Sequence, residues 1–288
     1  MSRSLLKILA LGVLCGALIV RPMLASAETP LCELASPAEQ ALGRVLASPS
    51  DFSFEGTLLL ERADGREFLA VKWPEPTGGG SLRRMNTAAD PVVEPWPAPA
   101  GSPDRICDVL RLYSPSLDKG RIIAGRETDR LTLSPRDSLR LLHRINIDRA
   151  TGMALAMATA GPDGQMLERY EYAEIRYGAR LAADIEPAET TRHDRDRVVV
   201  PGFFLILEEP DGGVFVVSDG LATATVFVEP LPIGAPGGEG AVIKGATLTY
   251  TRGVPGTGGG LLISVLGEVP LVTARLLADA VRPPKGAE

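Results

Sequence analysis

The chain has 288 residues, with 30 basic against 36 acidic side chains and a net charge of −6. An acidic surface argues against nucleic acid as a general partner and favours basic partners or local basic patches. Three cysteines without a CxxC, and two distant histidines without an HExxH, speak against thioredoxin-like redox chemistry and a catalytic zinc site, so neither metal nor cofactor is expected.

Arg3 and Lys7 precede an unbroken run of apolar and small residues at 8–20, ILALGVLCGALIV, and Ala25-Ser26-Ala27 puts small residues at both positions a signal peptidase reads. That pattern is a secretory signal cut after Ala27. A membrane-spanning helix needs about 20 apolar residues, and this run stops at Arg21 after 13. Cys15 and Cys32 each follow a leucine, where lipid attachment wants a small residue. Removing residues 1–27 takes away three basic residues and no acid, leaving 27 basic against 36 acidic and a charge of −9. Cys32 and Cys107 survive the cut, and an oxidising compartment lets them pair. The bond would close a loop of about 75 residues, worth roughly 4 kcal/mol in the chain-entropy model. Two separate buried thiols are the alternative, since spacing does not show that the side chains meet.

The first helix is signalled by Ser36-Pro37-Ala38-Glu39, a capping box with proline at the first helical position. Ala38, Ala41, Leu42, Val45 and Leu46 follow at helical spacing, and Ser48-Pro49 ends it. A half-buried strand comes next, with Phe52, Phe54, Leu58 and Leu60 on one parity. Ala63-Asp64-Gly65-Arg66 turns the chain and residues 67–73 return. Residues 74–105 hold many prolines, Gly78-Gly79-Gly80 and few apolar positions, which predicts a long surface loop. From 138 to 177 an antiparallel meander is expected, with strands near 139–147, 153–160 and 165–177. In its first strand Arg140 and Arg144 alternate with Leu139, Leu141, His143 and Ile145. The alanines of 153–160 let a helix or an apolar ligand approach closely.

Residues 179–200 are charged and carry Pro187, which predicts a linker that cannot by itself fix the geometry of what it joins. Strands follow at 202–208, 214–218, 222–229, 246–251 and 261–266, with glycine-rich loops at 232–240 and 253–260. A last helix near 270–281 has Pro270 in its first turn and Leu271, Ala274, Leu277, Ala278 and Val281 on one face. The fold class is therefore α+β and mostly antiparallel β. Its expected parts are a signal at 1–27, a large domain at 28–178, a linker at 179–200 and a small β-rich domain with a terminal helix at 201–288.

Catalytic patterns are missing. There is no GxSxG, His143 is in phase with the apolar face of its strand, and His193 falls in the linker. Carboxylates are plentiful, but no spacing singles out a pair. These features point to a binding protein and not to an enzyme.

Three stretches resemble the MucB/RseB family of periplasmic sigma-E regulators. They are Arg136-Asp137-Ser138-Leu139-Arg140-Leu141-Leu142-His143-Arg144 running to Gly152, then Gln165 through Tyr172, and most specifically Val217-Ser218-Asp219-Gly220-Leu221-Ala222 running to Pro230. Gly267-Glu268-Val269-Pro270 then leads into the last helix. The resemblance departs at 74–130, where the family keeps more regular strands than this loop-rich segment suggests. It implies a curved sheet wrapping helices around an apolar cavity, as in the lipoprotein carriers LolA and LolB. It also implies that the protein binds the periplasmic part of a membrane anti-sigma factor, shields it from proteolysis, and is released by lipopolysaccharide or other lipid. A lipid or lipoprotein carrier is the second reading. Candidate contacts to partner or lipid are Arg140 and Arg144, which suit phosphate or carboxylate unless they are merely solvated, together with Ser218, Asp219 and Gly220.

Overall fold

The computed structural model describes residues 32–47, 52–74, 80–85, 93–96, 106–180, 194–210, 212–256 and 259–281. The expected signal segment and the centre of the expected linker, 181–193, lie outside the described residues. From Cys32 onward the chain forms a single compact unit containing two antiparallel sheets.

Helix α1 (Pro37–Ala47) starts as its capping box requires. The Ser36 amide donates to Glu39 Oε2 at 2.8 Å, and the Glu39 amide to Ser36 Oγ at 3.2 Å. These bonds hold the Glu39 carboxyl below its ordinary range. Strands β1 (Phe52–Arg62) and β2 (Gly65–Trp73) pair from Phe54↔Trp73 to Arg62↔Gly65. Phe54 and Leu58 are buried, as the parity of β1 demands.

Residues 74–105 are not simply a loop. Strands β3 (Gly80–Arg84) and β4 (Val93–Trp96) extend the sheet beyond β2. They are short and rest on backbone pairing, so prolines and glycines hide them from a hydrophobic pattern. Helix α2 (Ile106–Leu112) leads into β5 (Tyr113–Ile123), and Ala124 and Gly125, at φ 47° and 75°, turn it into β6 (Arg126–Pro135). Both central residues at positive φ make a tight hairpin without the usual Asn-Gly signal. The expectation of an irregular 74–130 is thereby corrected over its second half.

The meander follows as β7 (Leu142–Asp148), β8 (Ala154–Ala160) and β9 (Met166–Arg180), giving the order β4-β3-β2-β1-β9-β8-β7-β6-β5. β7 begins three residues later than its alternation suggests. Asp137 Oδ1 accepts the Leu139 amide at 2.9 Å, and this side chain-to-backbone turn holds 136–141 out of the ladder.

The sheet is strongly curved. Arg121 of β5 donates to Glu171 of β9 at 2.8 Å, although β5 is the fourth neighbour of β9. In a flat sheet those strands would lie about 19 Å apart, so the sheet must curl to bring them together. Leu42, Val109, Tyr113, Leu131, Leu133 and Ile147 pack α1 and α2 against it. A second cluster gathers Phe54, Leu58, Trp73, Ile123, Leu155 and Tyr172. The alanines of β8 divide between the two, Ala154 beside the helices and Ala156 in the second cluster.

The C-terminal sheet comprises β10 (Asp194–Val200), β11 (Phe203–Glu208), β12 (Val214–Ser218), β13 (Thr223–Leu231), β14 (Gly238–Lys244), β15 (Thr247–Val254) and β16 (Gly260–Gly267). Their order is β10-β11-β12-β13-β16-β15-β14. Helix α3 (Leu271–Ala280) lays Ala274, Leu277 and Ala278 onto Val226, Tyr250 and Val265. Two edge strands correct the expected linker and loop, since β10 begins at Asp194 and β14 occupies 238–244. All seven residues of β14 are exposed, so it had no burial pattern to show.

Candidate functional site

The sequence-selected residues Arg140, Ser218, Asp219 and Gly220 come together where the two sheets meet, at strand ends and turns. Arg140 sits in the 136–141 turn with its side chain 0% exposed. Asp137 pairs with its Nη1, the Pro201 carbonyl accepts from Nη2 at 2.9 Å, and the guanidinium lies 5.0 Å from the Phe203 ring. Its Nε is 3.1 Å from Asp219 Oδ2, and the Asp219 side chain is likewise 0% exposed. Gly202, at φ 75°, lies against Nη2, and a Cβ there would overlap it.

Asp219 is a hub. Oδ1 accepts the Leu221 and Ala222 amides at 2.9 and 2.8 Å, and Oδ2 accepts the Tyr113 hydroxyl at 2.9 Å. Burial and then the Asp219 charge push the Tyr113 hydroxyl far above its ordinary range. Ser218 Oγ donates to the Ala222 carbonyl at 2.8 Å and accepts the Gly220 amide at 3.0 Å. The Ser218-Asp219-Gly220 stretch is thus a closed turn whose carboxylate faces the first sheet. Leu221 packs into the core around α1 and α2, and Thr273 of α3 donates to the Leu139 carbonyl at 2.6 Å.

His143 completes the buried group. It is 4% exposed, its Nδ1 is 3.3 Å from Thr159 Oγ1, and its ring centroid is 6.1 Å from that of Tyr113. Nε2 has no hydrogen-bond partner. Burial lowers its pKa to about 4, partly opposed by Asp219, so it is neutral at pH 7.

A second polar contact lies along the same seam. Arg62 bonds Glu168 at 2.6 Å, and the Gly245 turn closes over both so tightly that a Cβ would overlap Glu168. Glu268 lies close by, its carboxyl raised by burial and by Glu168, against the pull of Arg62. Tyr170 is pushed up to about 12 by burial, then by Glu268 and Glu168.

Arg144 does not join this group. It stands exposed on β7, whereas Arg140 precedes the strand and is buried, so the expected pairing of the two as one outward face is corrected. Cys32 and Cys107 are joined, with Cα atoms 5.5 Å apart, tying the start of the described chain to α2. Elsewhere a pocket of about 400 Å³ opens beside Phe54, Glu55, Lys72, Trp73, Arg176 and Tyr177. The Nε1 of Trp73 is buried without a partner. Among the described residues no His, Cys, Asp and Glu cluster is suited to a metal, and no helix is long and apolar enough to cross a membrane.

Sequence reasoning missed Tyr113, Asp137, Gly202 and Phe203. Tyr113 begins a strand that had not been recognised, and Gly202 and Phe203 border the expected linker. Asp137 was within the stretch that carries the resemblance, and its spacing to Leu139 was the available sign of a turn.

Residues 83–192 match the MucB/RseB N-terminal domain and residues 207–282 the MucB/RseB C-terminal domain. The sigma factor AlgU regulatory protein MucB of Pseudomonas aeruginosa is 29% identical, with 88% of this chain and 96% of that protein covered. The complex structure of Pseudomonas aeruginosa MucA/MucB aligns at 27% identity and a TM-score of 0.67, covering 86% of this chain and 99% of that one. A crystal structure of MucB with MucA(peri) aligns at 28% and 0.64, covering 85% and 98%. With both domains matched in order and nearly the whole length aligned, the chain belongs to the MucB/RseB family.

Proposed function

We propose that this protein is an exported periplasmic regulator that binds the periplasmic part of a membrane anti-sigma factor and shields it from proteolysis, with envelope lipid as the releasing signal. The observation that carries the reading is the near full-length likeness, across both sheets, to a MucB solved together with MucA(peri). The seam supports a binding role, because Arg140 and Asp219 are spent on contacts within their own turns and across the two sheets. The basic, exposed Arg144 is the sequence-selected residue still free to meet an acidic or phosphate group from outside.

The test is calorimetry with the periplasmic segment of the anti-sigma factor encoded nearest this gene, followed by protease protection of that segment. Binding at micromolar affinity or better, with slowed cleavage, is the expected result. No binding and no protection would refute the reading. A lipid carrier is the second reading, favoured by the pocket beside Phe54, Trp73 and Tyr177. A carrier must also pass lipid on, so transfer of a fluorescent fatty acid between vesicle populations separates the two.

A further inference from the structure

We infer that Arg140 and Asp219 form a register latch between the two sheets, holding one docked arrangement that opens and recloses as a unit. The regulatory consequence rests on the binding function proposed above; the latch itself rests on the geometry.

Each half of the pair is built on its own side of the seam. Arg140 is gripped by Asp137 of the same turn, and Asp219 by the Leu221 and Ala222 amides of its own turn. Separating the sheets would therefore leave both halves shaped for reunion. Across the seam the contacts are Nε to Oδ2 at 3.1 Å, Nη2 to the Pro201 carbonyl at 2.9 Å, and the Tyr113 hydroxyl to Oδ2 at 2.9 Å. Gly202 lets its backbone approach the guanidinium so closely that a side chain would collide with Nη2.

The energetics favour two states. Both charged side chains are 0% exposed. Taking such ions out of water is costly, and their attraction roughly offsets that cost, so the pair adds little net stability. Opening the seam rehydrates both ions and is not heavily penalised by them. Sliding one sheet past the other is different, because it leaves each ion buried without its partner, which is strongly unfavourable. The pair therefore penalises intermediate registers while adding little to the difference between docked and open forms. An equilibrium of that kind can be shifted by any ligand with unequal affinity for the two forms.

The experiment measures the distance between spin labels at Asp163→Cys and Ile233→Cys, both exposed, one on each side of the seam. Labelled protein is expected to give a single narrow distance. Arg140→Met should add a second, longer population, at least a tenfold rise over the unmutated chain. Arg140→Met with Asp219→Asn removes both charges, keeps an oxygen for the Leu221 and Ala222 amides, and should restore the single distance. Gly202→Ala, which keeps both charges, should reproduce the opening, and it decides the matter if Arg140→Met does not fold. A narrow, unchanged distance in the single variants would overturn the latch. Affinity for the anti-sigma segment is measured on the same samples. If the unmutated protein does not bind it, the proposed function fails while the distances still judge the latch. If it binds, the single variants should weaken binding about tenfold and the double variant should recover it.

Discussion

Replacing His143 with phenylalanine should remove a defined part of the protein's acid sensitivity. The imidazole is 4% exposed, packs beside Tyr113 and Thr159, and feels the Asp219 charge. Its pKa falls from 6.5 to about 4 on folding, chiefly through burial. The folded state thus holds the neutral ring, and the unfolded chain takes up a proton first as the pH drops. The histidine's contribution is whole above pH 6.5, is lost as the pH falls from there, and levels off below about 4. At 1.36 kcal/mol per pKa unit, roughly 2–3 kcal/mol should disappear between pH 7.5 and pH 4.5. His143→Phe fills a similar volume and has no proton to gain, and it also removes Nε2, a buried donor or acceptor without a partner. Urea unfolding of both proteins at the two pH values, with the slope checked for constancy, gives the difference directly. The wild type should lose about 2–3 kcal/mol more than the variant across that interval. Equal losses within about 0.5 kcal/mol would refute the account, because His143 would then be hydrated or paired in the folded protein.

Two further outcomes follow from the same structure. Replacing Cys32 and Cys107 together by serine opens a loop spanning a sequence separation of 75, and the urea midpoint should report a loss of about 4 kcal/mol. Glu268→Gln should stabilise the protein at pH 7.5 and make no difference near pH 4: the raised carboxyl favours its protonated form, whose contribution is present below 4.5 and is lost as the pH rises through the folded value. The same urea series on this variant measures it, and an equal effect at both pH values would contradict the assignment.

Much of the fold was legible because burial writes itself into spacing. Phe54 and Leu58 on β1, the Ser36–Glu39 box, and Ala274 with Leu277 on α3 all occupy the positions that periodicity marks. What escaped had no such imprint. β14 is exposed along its whole length, β3 and β4 hang on a neighbour's backbone, and the β5–β6 hairpin turns at Ala124-Gly125 rather than at an Asn-Gly. Arg140 was legible as a residue that matters but not as buried. Its parity was counted from a strand that begins two residues later, because Asp137 diverts the backbone first. The site that emerged joins residues 106 positions apart, Tyr113 and Asp219, and a pattern read along the chain carries no sign of such a meeting.

The bonding of Asp219 decides between two roles for the Ser218-Asp219-Gly220 turn. A carboxylate has about four acceptor positions. Here Oδ1 accepts the Leu221 and Ala222 amides, and Oδ2 accepts the Tyr113 hydroxyl and forms an ion pair with Arg140, whose Nε makes no hydrogen bond. Ser218 Oγ is likewise engaged on both sides within the turn. In the docked arrangement the turn is buried and engaged within itself and across the seam, so its side chains work between the sheets. A partner that touches Asp219 directly would have to displace Arg140 and strand a buried cation, at a cost of several kcal/mol. Contacts made without opening the seam must use other groups, such as Arg144 on β7 or the walls of the Trp73 pocket. The polar segment between the sheets has no need to set their geometry, because the turns at the strand ends already do.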